Sequence, residues 1–447
     1  MYLERIKLKN IRGCAALDVN LVGKRARPAG WTVLAGRNGT GKTTLLQAAA
    51  ATVIGPDNVL VMLERPDELV RLGENEGRSD VWLTGADEDW RDPKDERGSV
   101  HLGVSWGRGQ GVTKHPPKGN HVFVENQLWG GAAFGAQPRG WCFAAYGAQR
   151  LATPATSTAE QLMAAPPRRS AVVSVFRRDA SLMAAHAWAR ELSRHPRGTS
   201  ESAPPPYSPT LALLHALLND GLLSDEGAGI RITLGEAGIL VHRHEQALPL
   251  SSLGQGFESL ALLVIDIVRQ MCAFFGENMF APDAPVWLAG VPVRVNHSGV
   301  VLIDEIENHL HPALQQRVGF WLKEHFPNVQ FIVTTHSPFI CQAADEGGLF
   351  RVAQAGSVEL VSTDVFRRVV NGSADDAVVT ELFGLPHAFS PRSHDLREEL
   401  ARIESRMLAG DTLPPAVAER REELVGELPS DTNTEVDRLY EALRRRP

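Results

Sequence analysis

Three short runs that are wholly or mostly apolar stand out along the chain, at 33–35, 300–303 and 329–333. Runs of this kind, without apolar/polar alternation, are typical of strands that are buried on both faces of a parallel sheet. A helix-forming stretch at 313–325 separates the last two runs, as a crossover helix would. Glycines follow the first run, and the helix-forming stretch 45–50 comes next. The pattern predicts an α/β fold with a mixed central sheet.

Shorter β-like segments lie in other parts of the chain. Two of them, at 100–106 and 121–124, predict an antiparallel β subdomain within 99–145. Residues 230–233 and 238–241 flank a glycine-containing turn and predict a hairpin. The apolar stretch 257–275 predicts a long helix, and its charged residues argue against a membrane span.

These elements divide the chain into four predicted parts. They are an N-terminal lobe at 1–145, a helical insert at 146–225 with a flexible Ser/Pro linker at 198–209, a C-terminal lobe at 226–363, and a charged helical tail at 364–447. The first residues alternate like a strand and lack the apolar core of a secretion signal. We therefore expect a cytoplasmic protein that does not associate with membranes.

Composition narrows the class of protein. The chain has 447 residues, 43% of them apolar and 22% charged, which is typical of globular proteins. Its net charge of −7 argues against a protein that coats nucleic acid nonspecifically. The four cysteines form no C-x-x-C pair, so neither a zinc site nor a disulfide framework is predicted.

One segment of the helical insert is basic. Between Arg150 and Arg197 there are eight arginines and three acidic residues, a local balance of +5. Such a segment could contact the phosphates of duplex DNA, and a solvated helix face is the alternative interpretation. The charge alone does not decide between them.

The strongest motif follows the first apolar run. Gly36, Gly41, Lys42 and Thr43 have the G-x-x-x-x-G-K-T spacing of a phosphate-binding loop. Glycines let backbone N–H groups face the α- and β-phosphates, the lysine reaches the β- and γ-phosphates, and the threonine hydroxyl binds Mg²⁺. The predicted ATP-binding residues of the loop are Gly36, Asn38, Gly39, Thr40, Gly41, Lys42, Thr43 and Thr44.

Acidic residues and a histidine end the other two apolar runs. Asp304 and Glu305 follow the second run, and His336 follows the third. The carboxyl ends of parallel strands meet at the edge where ligands bind. We expect Asp304 to hold Mg²⁺ with Thr43, Glu305 to orient the attacking water, and His336 to contact the γ-phosphate.

Together these motifs resemble ABC-type ATPases of the SMC/RecF-like group. The resemblance rests on Asn-Ile-Arg at 10–12, the phosphate loop, Leu-Gly-Gln-Gly at 253–256, Asp-Glu-Ile-Glu-Asn-His-Leu-His-Pro at 304–312, and Thr-Thr-His-Ser-Pro at 334–338. It covers roughly 1–50 and 140–390, and is strongest to the compact bacterial branch that includes OLD-family nucleases and the ATPase subunits of anti-phage systems such as Septu and PARIS.

The resemblance implies a head domain that dimerises around two ATP molecules. Asn308 and His309 would lie in a loop at the dimer seam, and the signature segment of each subunit would face the phosphate loop of the other. Gln149 would sense Mg²⁺ and the attacking water, although Gln127 and Gln137 are alternatives. Arg12 resembles a basic residue near the phosphates, with a solvated surface arginine as the alternative.

The signature segment departs from the family pattern. The family usually has Leu-Ser-x-Gly, whereas Gly254 stands here in place of the serine. Ser251 or Ser252 could supply the missing hydroxyl. Alternatively, the backbone N–H groups of Gly254, Gln255 and Gly256 at the helix start could contact the phosphate.

The predicted function is an Mg²⁺-dependent ATPase switch. We expect it to form a homodimer or higher oligomer and to control a separate effector, a nuclease or toxin-like protein, in anti-phage defence. A RecF-like DNA clamp is the main alternative. A transporter subunit is disfavoured because its signature would usually be complete, and an OLD-type nuclease centre is disfavoured because 111 residues follow His336.

Overall fold

The strands of the computed structural model are Tyr2–Ile11 (β1), Cys14–Asn20 (β2), Trp31–Ala35 (β3), Glu76–Thr84 (β4), Ser99–Gly107 (β5), Phe123–Val124 (β6), Phe143–Tyr146 (β7), Arg231–Gly235 (β8), Gly238–Arg243 (β9), Gln246–Pro249 (β10), Gly299–Ile303 (β11), Val329–Thr335 (β12), Leu349–Val352 (β13) and Val358–Leu360 (β14). Six of them form the central sheet, in the order β14-β13-β3-β12-β11-β7. Strands β13, β3, β12, β11 and β7 run parallel, and β14 pairs antiparallel with β13 at the edge.

The described part of the chain contains fourteen α-helices. They are Lys42–Ile54 (α1), Pro56–Met62 (α2), Ser157–Met163 (α3), Pro167–Ser170 (α4), Val173–Phe176 (α5), Met183–Leu192 (α6), Pro209–Asn219 (α7), Gln255–Phe275 (α8), Pro312–His325 (α9), Pro338–Cys341 (α10), Thr363–Asn371 (α11), Ala374–Val378 (α12), Pro391–Leu408 (α13) and Pro415–Glu427 (α14). The structure describes residues 1–22, 28, 30–63, 65–86, 99–108, 123–124, 140–150, 152, 156–194, 209–223, 230–243, 246–276, 293–353 and 357–428.

The apolar runs of the sequence become the buried core strands. Every residue of β3, β11 and β12 is buried, and α9 connects β11 to β12 as the predicted crossover. Burial on both faces explains why these strands show no apolar/polar alternation. The predicted α/β fold with a mixed central sheet is confirmed.

A second sheet packs over α1 in the N-terminal part. It is antiparallel, with the order β2-β1-β4-β5-β6. The run of alanines at 48–51 in α1 is buried in the same apolar core as the inner faces of β1, β4 and β5. Small side chains let the helix approach the sheet closely, and the predicted antiparallel subdomain is present.

One strand falls in a different sheet from the predicted one. The sequence analysis assigned 99–145 to the antiparallel region, but β7 pairs parallel with β11 in the central sheet. All four residues of β7 are buried, which fits a strand between other elements of the core. The carboxyl end of β7 therefore lies beside that of β11.

The helical insert and the hairpin also form. Helices α3 to α7 follow β7, and β8, β9 and β10 make a separate antiparallel sheet next to them in sequence. The predicted long helix is α8, which begins directly after Gly254. The linker predicted at 198–209 lies outside the described residues except for Pro209, the first residue of α7.

The chain separates into two compact units, Met1–Phe383 and Gly384–Pro447. Helices α11 and α12, which the sequence analysis grouped with the tail, belong to the larger unit, and α13 and α14 form the described part of the smaller one. The cysteines Cys14, Cys142, Cys272 and Cys341 are all buried. No helix within the described residues is long and apolar enough to cross a membrane.

Candidate nucleotide site

Four parallel strands end at one edge of the central sheet, and each is followed by predicted site residues. The phosphate loop follows β3, Gln149 follows β7, Asp304 follows β11 and His336 follows β12. Because the strands are adjacent in the order β3-β12-β11-β7, their carboxyl ends bring these residues to the same edge.

The phosphate loop has the shape that its glycines predict. Gly39 and Gly41 have positive φ angles of 78° and 99°. At Gly36 any larger residue would clash, because a Cβ atom would lie 2.2 Å from the carbonyl oxygen of Val352 in β13. The ammonium group of Lys42 donates to the carbonyl oxygens of Gly36 and Arg37 at 2.8 and 2.9 Å.

The start of α1 suits a phosphate group. Among the described residues, no side chain caps this helix end and its first turn contains no acidic residue. Helix N-termini present backbone N–H groups and a positive partial charge, which favour anions. The loop and helix therefore fit the triphosphate of a nucleotide.

Asp304 is hydrogen-bonded to Thr43 of the phosphate-loop motif. It is 2% exposed, and its two carboxylate oxygens accept hydrogen bonds from the hydroxyls of Thr43 at 2.8 Å and Thr334 at 2.6 Å. Burial raises the pKa of Asp304, while the two hydroxyls lower it. Because a cation would offset the cost of this buried charge, the oxygens of Thr43 and Asp304 fit Mg²⁺.

Burial also affects Lys42. It lowers the pKa of the ammonium group, while Glu305, Asp304 and Glu307 act in the opposite direction, in that order. Lys42 and the acidic residues after β11 therefore share one electrostatic environment, although they are far apart in sequence.

Glu305 stands in a constrained turn. Its φ angle of 44° is in the left-handed region, which is uncommon for residues other than glycine. The backbone N–H of Glu305 donates to Thr334 Oγ1 at 2.7 Å, and Oε2 accepts from Asn308 Nδ2 at 2.8 Å. These contacts hold the carboxylate in one orientation. Left-handed backbone of this kind clusters at functional sites.

His336 is fixed through its backbone. The N–H of His336 donates to the carboxylate of Glu307, and the residue is half-buried. Burial lowers the pKa of the imidazole, Lys42 lowers it further, and Glu307, Glu305 and Asp304 raise it. The net direction is downward, so the neutral imidazole is favoured at neutral pH.

The signature segment, residues 251–256, precedes and begins α8. Ser251, Ser252, Gly254 and Gln255 are exposed. Gly254 has a φ angle of 93°, a conformation that a serine would adopt only with strain, and this explains the departure from Leu-Ser-x-Gly. Ser251 and Ser252 lie in the preceding 3₁₀ turn.

The signature segment touches the predicted seam loop, which contains Asn308 and His309. A Cβ atom on Gly256 would lie 2.0 Å from the carbonyl oxygen of His309. His309 is exposed and has a φ angle of 65°. The two segments therefore lie side by side.

Arg12 and Gln149 have different surroundings. Arg12 donates to Gln47 Oε1 at 2.7 Å, which ties it to α1 one turn beyond Thr43, and burial lowers its pKa. Gln149 is exposed at the site edge. The alternatives Gln127 and Gln137 lie outside the described residues.

A cavity lies beside the phosphate loop. Its volume is about 120 Å³, and it is lined by loop residues and by apolar side chains from β1, β2, β13 and β14, among them Leu8, Leu17 and Val352. The lining is mixed, about as polar as apolar, and a heterocyclic base has both apolar faces and polar edges.

The basic segment is less available to DNA than its charge suggests. The expectation is wrong for Arg150, which is 6% exposed and donates to backbone carbonyl oxygens. Arg177 pairs with Asp179 at 2.7 Å, and Arg169 donates to Asn58. Arg197 lies outside the described residues.

Three contributors to the site went unrecognised in the sequence. Thr334 bridges Asp304 and the backbone of Glu305, Glu307 accepts from His336, and Arg150 binds the turn after β11. Glu307 belongs to the motif at 304–312 and Thr334 to the motif at 334–338, so the sequence contained a signal for both. For Arg150 the sequence contained no such signal, because the basic residues near it suggested an exposed surface.

Comparison with known proteins agrees with these features. Residues 181–342 match the family model described as "AAA domain, putative AbiEii toxin, Type IV TA system". The chain is 35% identical over 112 residues to "Retron Ec83 probable ATPase" of Escherichia coli, a match that covers 25% of this chain and 18% of that protein.

A longer match is to the Septu protein PtuA of Bacillus mycoides. It is 21% identical over 385 residues and covers 86% of this chain and 45% of that protein. The chain thus spans less than half the length of these curated relatives. Among solved structures, an SMC head bound to the C-winged helix domain of ScpA is similar with a TM-score of 0.44 and 16% identity, covering 81% of this chain and 98% of that one.

The predicted resemblance to the ATPases of anti-phage systems is confirmed by the retron and Septu relatives. The match of residues 181–342 to an AAA-domain model shows that the chain contains an ATPase domain.

Proposed function

We propose that this protein is an Mg²⁺-dependent ATPase switch subunit. It binds and hydrolyses ATP, dimerises through its nucleotide sites, and thereby controls a separate effector protein in anti-phage defence. The hydrogen bond between Thr43 and Asp304 carries the proposal, because it joins the phosphate loop to the acidic residue of β11.

Different residues of the chain would bind the phosphates, Mg²⁺ and the base. The backbone of the loop, the start of α1 and Lys42 bind the phosphate oxygens. Thr43 and Asp304, with Gln149 at the edge, would hold Mg²⁺, which supplies positive charge to the β- and γ-phosphates. The cavity beside the loop would accept the base.

Two further side chains would act on the attacking water and the γ-phosphate. Glu305 orients the water and takes its proton, since its carboxylate is already held in place by Asn308. His336, as a neutral imidazole, donates to the γ-phosphate. Both roles depend on backbone positions fixed by β11 and β12.

The contact between Gly256 and His309 supports dimerisation. Gly256 lies against His309, and Ser251, Ser252, Gln255 and His309 are exposed, so a single partner surface could engage both segments. A second copy of this chain is the proposed partner. The contacts across the seam would form when ATP is bound in each phosphate loop.

The defence role rests on the similarity to Septu and retron proteins. We infer that the effector is a separate protein of the nuclease or toxin type, and that ATP-dependent assembly holds or releases it. Basic side chains that remain exposed in the insert, such as Arg178 and Arg190, leave duplex DNA as an outcome of the experiment below.

Two variants separate nucleotide binding from hydrolysis. Lys42→Ala should reduce ATP affinity at least about tenfold, because it removes the cation of the phosphate loop. Glu305→Gln should bind ATP normally but lower the hydrolysis rate about 100-fold or more, which traps the dimer. Binding is measured by calorimetry, and mass by light scattering with and without Mg-ATP.

Wild-type protein and Arg178→Met serve as controls. Equal ATP affinity of Lys42→Ala and wild type would contradict the nucleotide site. If Glu305→Gln has the same mass with and without Mg-ATP, the dimer switch is wrong. Adding duplex DNA to the same sample then tests whether nucleic acid changes the assembly.

A further inference from the structure

The guanidinium group of Arg150 is buried behind the turn at 304–306, here called the acidic turn. Nη1 donates to the carbonyl oxygens of Gly147 at 3.0 Å and Asp304 at 2.7 Å. Nη2 donates to those of Glu305 at 3.0 Å and Ile306 at 3.1 Å. One side chain therefore binds all three consecutive carbonyl groups of the acidic turn.

This arrangement fixes an unusual backbone. The acidic turn contains the left-handed Glu305, a conformation that persists only when its surroundings hold it. A guanidinium group is planar and presents its N–H groups in a fixed fork, so it defines where each bound carbonyl oxygen lies. The flexible ammonium group of a lysine could not span the same set of acceptors.

The contacts also join two parts of the site. Arg150 directly follows Gln149, and Asn308 Nδ2 donates both to Glu305 Oε2 at 2.8 Å and to the carbonyl oxygen of Ala148 at 3.3 Å. Hydrogen bonds thus run in both directions between the segment 147–150 and the residues after β11. A shift of Gln149 would move Glu305 with it.

The guanidinium group of an arginine stays protonated at neutral pH, so Arg150 keeps all its donors.

We propose that Arg150 is a positioning residue for ATP hydrolysis, which holds the Glu305 carboxylate in register with the segment that carries Gln149. This inference rests on the proposed ATPase function. The side chain binds the acidic turn rather than the phosphate loop, so its loss should affect the chemical step and leave nucleotide affinity intact.

The test compares Arg150→Met, Arg150→Lys and the exposed Arg178→Met. Arg150→Met should lower kcat about 10- to 100-fold, because small displacements of a catalytic group have effects of this size. Its Kd for ATP should stay within about threefold of wild type. Arg150→Lys should have an intermediate kcat, and Arg178→Met should match wild type.

A second measurement separates positioning from general stability. In the Glu305→Gln background, Arg150→Met should cause no further loss of kcat, since the carboxylate that it positions is already gone. Melting curves of all variants are recorded in parallel. If Arg150→Met does not fold, Arg150→Lys takes its place in both comparisons.

Three outcomes would overturn the inference while leaving the ATPase function intact. They are a kcat within about twofold of wild type, a loss of ATP affinity by the same factor as kcat, and additive losses with Glu305→Gln. Wild-type protein that binds ATP but does not hydrolyse it would overturn the proposed function and this inference together.

Discussion

A hydrogen bond fixes the backbone of His336, whereas the pKa of its imidazole depends on the surroundings. Its N–H is bound to Glu307, so the backbone position does not depend on the protonation of the imidazole. The ring responds to burial and to Lys42, which both lower its pKa below the ordinary value of 6.5. Neutral imidazole is then the dominant form at neutral pH, and protonation requires more acidic solution.

We expect the hydrolysis rate to reflect this titration. As the pH falls through the depressed pKa of His336, the ring becomes charged next to Lys42 and kcat should drop, with the midpoint of this acid limb below 6.5. The measurement is kcat for wild type and His336→Gln between pH about 5 and 8. His336→Gln should be slower at every pH and lack this limb; an identical limb in both proteins would contradict the assignment.

Residues of the phosphate loop could be predicted because their partners are close in sequence. Lys42 contacts the carbonyl oxygens of Gly36 and Arg37, and the motif spacing already defines this geometry. Arg150 differs, because three of its acceptors lie more than 150 residues away in the chain. Its role depends on β7 and β11 being neighbours, which composition does not indicate.

Strand β4 shows how buried polar groups obscure an element. Its sequence contains Ser79 and Asp80, both buried, which interrupt the apolar pattern expected of an inner strand. Thr52 donates to Ser79, and Arg78 and His101 pair with Asp80. Thr52 and His101 come from α1 and β5, whereas Arg78 lies in β4 itself. Because two of these partners are distant in sequence, the strand was not predicted, whereas the buried apolar strands β11 and β12 were.

A buried polar contact links the site edge to the signature helix. The hydroxyl of Tyr146, the last residue of β7, donates to Asp266 of α8 at 2.9 Å, and Arg269 pairs with the same carboxylate. Burial and the nearby carboxylate raise the pKa of Tyr146 well above its ordinary value, so the hydroxyl remains a donor. Helix α8 is thereby tied to the strand that precedes Gln149.

A substitution at the start of α8 tests whether its contact with the seam loop matters for dimerisation. Gly256→Ala would place a Cβ atom 2.0 Å from the carbonyl oxygen of His309, so either the helix or the seam loop must move. We expect ATP affinity to stay within about threefold and ATP-dependent dimerisation of a Glu305→Gln sample to weaken at least about tenfold. Sedimentation with Mg-ATP measures the latter.

Gly235→Ala provides the matched control. A Cβ atom at Gly235 meets no other atom within 4 Å, so the same chemical change should leave assembly unaltered. Normal dimerisation of Gly256→Ala would show that the adjacency of the two segments has no part in assembly.

At the scale of the whole molecule, the candidate site belongs to the larger of the two units. Every residue assigned to nucleotide binding lies in the unit Met1–Phe383. The sequence analysis placed the start of the tail at 364, where the sequence becomes charged and helical. That change in composition does not reveal that α11 and α12 belong with the preceding residues. Contacts between distant segments define such a unit, and a single sequence does not display them.

We therefore expect a chain shortened to residues 1–383 to fold and to bind ATP with an affinity within about threefold of the full chain. Circular dichroism reports folding, and calorimetry reports binding, with the 447-residue chain as the control. Aggregation or loss of ATP binding in the shortened chain would contradict the independence of the larger unit.

The buried cysteines have a practical consequence. Thiol reagents attack exposed thiolates, and burial raises the pKa of both Cys14 and Cys341. The native chain should thus label slowly, without removal of its own thiols. A single Ser252→Cys substitution on the exposed signature turn would then give a site for a fluorophore or a cross-linker. Opening and closing of the seam could be followed in real time during nucleotide turnover.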